Sequence, residues 1–492
     1  MTIFVRAPGD LGPAVIREIA AGAPVRLDAA LMASVAAQRS RVLAALSGGQ
    51  PVYGVNTGAG RFAATPLTPD QQGENQTRLL VGRAVGGPPW LPEEDVRALF
   101  AVRLRGLLAP ETGASADAAR FVVERLNDGF VPAVPRGGFG SAGEIIPLCH
   151  AFQTFAGIGA VLVGGEERPA AEELVRRGIR PYRPGPKEGM SFIQGAPLAT
   201  AHAILRAAAG LSAVEAQVLS CAMTIDALGA PRAMYRPALA GPDDVLAGVL
   251  AEVSALVEGS AVRDIGQAPV SVRVGPQALA YARRTLVELE AAASRVLAAP
   301  TDSPAFVGGE FVSTAGFHAA EAGLRMDAAA AALAHVGEVS VQRMHRLLDE
   351  RCSGLPAQLA PEPGPNAGLT VVHKRAVGEL HALRRLAVPA SLGTIDTSAG
   401  QEDVQVFAGA AGEQLRSALD HLLAITACEL VIAHQAHVLR GAPGAPALRE
   451  RYRRVGELAP AALRDRPLGP EITALVAALR AGRAGLSAPR DG

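Results

Sequence analysis

The sequence predicts a mainly α fold, and three observations carry that expectation. Ala201–Leu228, Phe317–Leu348 and Val404–Leu439 are long, free of interior proline, and repeat Ala, Leu, Ile and Val at spacings of three and four. Little of the chain alternates apolar and polar residues over five or more positions, so sheet content should be low. Hydrophobic residues make up 49% against 19% charged, while aromatics are only 4%, so the core is expected to be built mainly of Ala, Leu and Val. Helices apolar around most of their circumference belong inside a bundle or an oligomer.

In chain order, residues 1–200 read as an N-terminal region of glycine-rich loops and shorter elements. Residues 201–440 read as a central long-helix bundle, and 441–492 as peripheral short helices, charge-rich and spaced by prolines. Length alone suggests about three domains of roughly 150 residues. The Pro/Gly-rich stretches at 86–92, 181–187, 361–366 and 441–446 are too short for flexible linkers, so the three regions are expected to form one structural unit.

Charge and cysteine content exclude several classes. The 47 basic and 47 acidic residues balance to zero, which argues against a nucleic-acid groove or a polybasic membrane anchor. The apolar stretch around 151–165 is too short to span a bilayer and contains Gln153 and Thr154, and the N-terminus lacks a signal-peptide progression. Cys149, Cys221, Cys352 and Cys428 lie far apart, so they read as buried reduced thiols of a cytoplasmic protein. No metal site is expected: His434 and His437 have ligand-like spacing but no Cys or carboxylate partner nearby, and read as a solvated helix face.

The chemistry is carried by polar, glycine-rich loops: Tyr53–Gly60, Gly137–Leu148, Lys187–Gly195, Arg273–Gln277 and Thr397–Asp403. None sits in a strand-then-helix unit, so their GxG spacings are not dinucleotide motifs. Taken in order, they resemble the histidine and aromatic amino-acid ammonia-lyase family. Tyr53–Gly60 is similar to that family's YGxNTGFG, Leu126–Pro135 to the approach to its prosthetic-group loop, and Pro389–Asp403 to its PASxxxIxTSAxQED block. The resemblance implies a long central helical bundle with a small mixed N-terminal active-site region, and a homotetramer with shared sites. A small anionic or amino-acid-like substrate goes with it.

In that family a consecutive Ala-Ser-Gly cyclises and dehydrates to methylidene-imidazolone, the electrophile of the reaction. Here the triad falls on Ser141, Ala142 and Gly143, and alanine has no hydroxyl to lose. A shifted register, Gly140-Ser141-Ala142, supplies the serine but puts a methyl group beside the attacking nitrogen. The sequence therefore leads to the expectation of no prosthetic group and no cofactor. Other departures agree: Gly82-Arg83 stands for Ser-His, Gln194 for asparagine, Val270 for the proton-abstracting tyrosine, and Val404 for histidine, while Ala315–His318 lacks the asparagine of GNFH.

Much is retained. Arg273 matches the arginine that pairs the substrate carboxylate, and its planar fork suits that task. Tyr53, Asn56, Gln401 and Glu402 match active-site positions. Tyr53, Ser141 and Glu402 are the expected catalytic residues, and Arg273, Arg83, Asn56, Gln194 and Gln401 the expected substrate-binding ones. Ser141 has a plainer role as helix N-cap, Arg83 as half of an ion pair, and Lys187 as a structural cation. The reading that follows is an enzyme repurposed for chemistry without the electrophile: acyl or amino transfer, or elimination or addition. One alternative is a non-catalytic binding or scaffolding member. The other is an active ammonia-lyase or aminomutase using Gly140-Ser141-Ala142.

Overall fold

The structure is a computed structural model and describes residues 1–264 and 266–482. It is mainly helical, and the three long helices lie at Pro197–Leu228, Ala320–Leu348 and Ala408–Arg440. Each begins three or four residues from the start expected from periodicity. A fourth long helix, Gly275–Ala298, went unnoticed in the sequence because charged residues interrupt its apolar stripe. The chain forms two compact units, each assembled from three separate stretches.

The first unit comprises residues 1–205, 289–326 and 390–413 and contains all three two-stranded sheets of the described residues. Ile3–Val5 pairs in parallel with Val25–Leu27, linked through the helix Pro13–Ala20, while Ala160–Val163/Glu166–Pro169 and Ala305–Val307/Glu310–Val312 are antiparallel hairpins. The scarce aromatics are concentrated here. Phe100, Phe121, Phe152, Phe155, Tyr182 and Phe192 form one cluster of stacked and edge-on rings with centroids 4.9–6.0 Å apart. The expected Ala/Leu/Val core is thus locally aromatic.

Beside that cluster the helix Glu188–Ile193 packs on Pro69–Val81 so closely that a Cβ at Gly189 would lie 2.1 Å from the Gln76 carbonyl oxygen. Only glycine fits there. Lys187, fully buried and left-handed at φ 68°, donates to Asp302 Oδ2 at 2.5 Å and to the Thr112 carbonyl at 2.7 Å. It is a structural cation.

The second unit comprises residues 206–288, 327–389 and 414 onward, and its described residues form helices and connecting segments without a strand. At its centre Glu429 accepts Arg343 Nε on one carboxylate oxygen (2.8 Å) and Arg343 Nη2 on the other (2.9 Å), with Ser220, Thr224 and Ser340 hydroxyls filling the remaining lone pairs. Both charges are buried.

His434 and His437 correct the expectation of a solvated face. His434 stacks on Tyr452 with centroids 4.6 Å apart, and His437 Nε2 lies 3.1 Å from the Met223 carbonyl, both rings inside the unit. Burial holds the His434 imidazole down at about 4 and His437 below the usual histidine range, so both stay neutral. The four cysteines are unpaired; three are buried, and Cys352 is half-buried.

Glu429→Gln leaves the Arg343 guanidinium buried without its counter-charge. It should cost about 3–5 kcal/mol in urea unfolding, most of which Glu429→Gln/Arg343→Met should recover.

Candidate active site

The loop 137–143 has irregular backbone, and its amides must be satisfied without a ladder. Two carboxylates help to do this. Glu402 Oε2 accepts the Ala142 N–H at 2.9 Å, while its Oε1 accepts the Ser398 hydroxyl at 3.2 Å. Glu144, directly after the loop, accepts the N–H groups of Leu198 and Ala199, both at 2.6 Å. Those are orphan donors in the first turn of the helix Pro197–Leu228, where the dipole favours negative charge. The helix Ile145–Gln153 then begins without a side-chain cap, because Ser141 Oγ donates instead to the Gly143 carbonyl at 2.6 Å. The N-cap role open to Ser141 is therefore not the one it takes.

A cavity of about 300 Å³ opens on this loop. Tyr53, Ser141, Gln194, Gln401 and Glu402 all line it, together with Ser313, Thr314 and Phe317. The Tyr53 hydroxyl accepts the Gly60 N–H at 2.7 Å, which leaves its own proton to donate into the cavity. A recess of about 20 Å³ behind Ala142 is walled by Phe139, Phe317, His318 and Val406. His318 Nε2 is buried there without a partner.

The remaining candidates lie elsewhere. Asn56 uses its amide on its own loop, accepting from Val52 N–H at 2.6 Å and donating to the Gln50 carbonyl at 2.7 Å. Arg83 is half-buried near Cys149, whose thiol burial pushes up to about 12 against the pull of the Arg83 charge. Arg273 ends the short helix Val270–Arg273 of the second unit, and its Nε is buried without a partner. Three residues that sequence reasoning passed over are Glu144, His318 and Thr314. Glu144 follows the triad directly, and His318 stands in a segment already singled out, so both carried a readable signal. Thr314 carried none.

The model of the aromatic amino acid lyase family matches residues 11–457. The histidine ammonia-lyase of Streptomyces coelicolor is 33% identical over 98% of this chain and 97% of its own length. That of Bradyrhizobium diazoefficiens is 32% identical over 89% and 87%. Among solved structures, a tyrosine aminomutase from Streptomyces globisporus superposes with a TM-score of 0.92, 25% identity, and 98% and 97% of the two chains covered.

These relatives correct the expectation of a chain without a prosthetic group. The likeness to histidine ammonia-lyases and an aminomutase covers nearly the whole chain, the loop 137–143 included, and gives no ground for the group's absence.

Burial raises the Glu144 carboxyl from 4.5 to about 7, against the two N–H bonds and Arg103, which favour its charge. The folded chain therefore holds a proton that the unfolded chain releases. The associated stability is complete below pH 4.5 and is lost as pH rises to about 7. Glu144→Gln should flatten this part of the stability–pH profile, by up to about 3 kcal/mol in denaturant titrations between those limits.

Proposed function

The chain belongs to the aromatic amino acid lyase family, and on that premise we propose that it is an enzyme, an ammonia-lyase or aminomutase acting on the α-amino group of a small amino acid. One observation carries the reading: Glu402 holds the Ala142 N–H in the wall of the cavity that also contains Tyr53 and Ser141.

In the register Gly140-Ser141-Ala142 the loop has the atoms the prosthetic group requires. The Ala142 nitrogen is the one that closes on the Gly140 carbonyl carbon, and Glu402 is placed to take its proton. In forming the group, the Gly140 carbonyl oxygen would leave as one water with the amide hydrogens of Ala142 and Ser141, and Ser141 would lose its hydroxyl and α-hydrogen as a second. Ala142 borders the recess of about 20 Å³. Once formed, the group supplies an electrophilic carbon at the cavity wall.

The chain's own residues supply the rest. Tyr53 is the proton-transfer group, because Val270 has no atom for the task. Gln194, Gln401, Ser313 and Thr314 offer amides and hydroxyls to a polar substrate, and Phe317 gives one apolar face. A cavity of about 300 Å³ suits an amino acid of the size named in the histidine ammonia-lyase relatives.

Intact-protein mass spectrometry tests the assignment directly. Wild type should be lighter than its sequence by two waters, and Ser141→Ala should show its full sequence mass and no ammonia release. An unmodified wild-type mass overturns it. Tyr53→Phe should keep the mass deficit and lower kcat by at least about a hundredfold in an ammonia-release assay.

A further inference from the structure

A second cavity of about 210 Å³ lies in the first unit. Arg103, Gly106, Glu111, Thr200, Thr301 and Asp302 are among its lining residues. It is separate from the loop 137–143 and has no part in the chemistry above.

Two of its charged side chains are buried with hydrogen-bonding capacity left over. Arg103 is 3% exposed and donates Nη1 to the Ser191 carbonyl at 2.8 Å, while Nε and Nη2 have no partner. Those two nitrogens form one edge of the guanidinium, the fork that holds a carboxylate in bidentate fashion. Asp302 is 3% exposed and gives Oδ2 to Lys187, while Oδ1 has no partner. Buried polar groups are ordinarily satisfied, and two unsatisfied ones lining one cavity are costly unless something occupies it.

Some of the other polar groups are already engaged, while the Glu111 carboxylate and the Thr301 hydroxyl also line the cavity. Thr112 and Thr200 hydroxyls donate to the Gly106 and Ala196 carbonyls, and Arg105 donates to the Pro8 and Leu297 carbonyls. Of the buried atoms, Arg103 lacks an acceptor pair and Asp302 Oδ1 lacks a donor. Burial lowers the Arg103 guanidinium to about 10, which leaves it charged.

We propose that this cavity binds a small carboxylate carrying a donor on the adjoining carbon, an α-amino or α-hydroxy acid. Its carboxylate sits in the Arg103 fork and its donor on Asp302 Oδ1. The cavity shares two chain segments with the active-site cavity: Ala196 follows Gly195 of that site, and Asp302 precedes Ser303.

Isothermal titration of the full chain with glycine, glycolate and acetate tests this. Glycine or glycolate should bind at least about tenfold more tightly than acetate, and the better of the two identifies the donor as ammonium or hydroxyl. Arg103→Lys keeps the charge but loses the fork, and should weaken binding by at least about tenfold. Gly106→Leu leaves every charged group in place. Its Cβ would meet nothing nearer than Arg103 Nη1 at 3.7 Å, so its side chain fills the cavity and should abolish binding. Ser141→Ala should bind as wild type does, which separates this cavity from the active site. The proposal is overturned if no probe binds wild type, if acetate binds as well as the others, or if Arg103→Lys and Gly106→Leu both bind normally.

Discussion

Glu144 is a carboxylate taken out of water at the first turn of a 32-residue helix, immediately after the loop that carries the chemistry. A loop with the glycines and bends of 137–143 cannot satisfy its own amides, and on the protein side it has no strand to pair with. Glu144 fixes one end by bonding to the helix, and Glu402 fixes the middle by taking the Ala142 N–H. The rest of the site inherits its geometry from these two acceptors. Remove either, and backbone donors lose their partners at the place where backbone position decides which nitrogen can reach which carbonyl.

The surrounding scaffold makes such a loop affordable. In the first unit the Lys187–Asp302 pair and the interlocked aromatic rings fix the segments that flank Gln194 and Ser303. In the second, Arg343 and Glu429 satisfy each other with three hydroxyls alongside. A buried pair of this kind adds little over a well-packed apolar core, but it tolerates only one arrangement of the helices that carry it. The same economy explains Gly189, where two helices approach more closely than any side chain permits.

The long helices were legible because each is apolar over most of its surface and free of proline; the periodicity at 201–228 needed no tertiary information. Gly275–Ala298 was not, since Arg283, Arg284, Glu288 and Glu290 hide its apolar stripe. Tyr53, Ser141 and Glu402 were legible through their motifs, and they come together in one cavity. The bonding of Glu144 was hidden because its partners, Leu198 and Ala199, are more than fifty residues away. His437 was misplaced for a related reason: its carbonyl partner, Met223, lies 214 residues earlier in the chain.

The cavity also constrains how protons can move within it. Its ionisable side chains are Tyr53, Glu144 and Glu402, and no cationic residue lines it among the described residues. Glu144 is engaged by helix amides and Glu402 by the loop and Ser398, while the Tyr53 hydroxyl keeps a proton to donate to a ligand. On the proposed function, an α-amino acid entering this site presents its ammonium to a wall of carboxylate and hydroxyl oxygens, which favours the charged amine. Loss of ammonia requires that amine to part from carbon while the β-proton moves to a base. On the proposed function, proton transfer in this site thus rests on the placement of Tyr53.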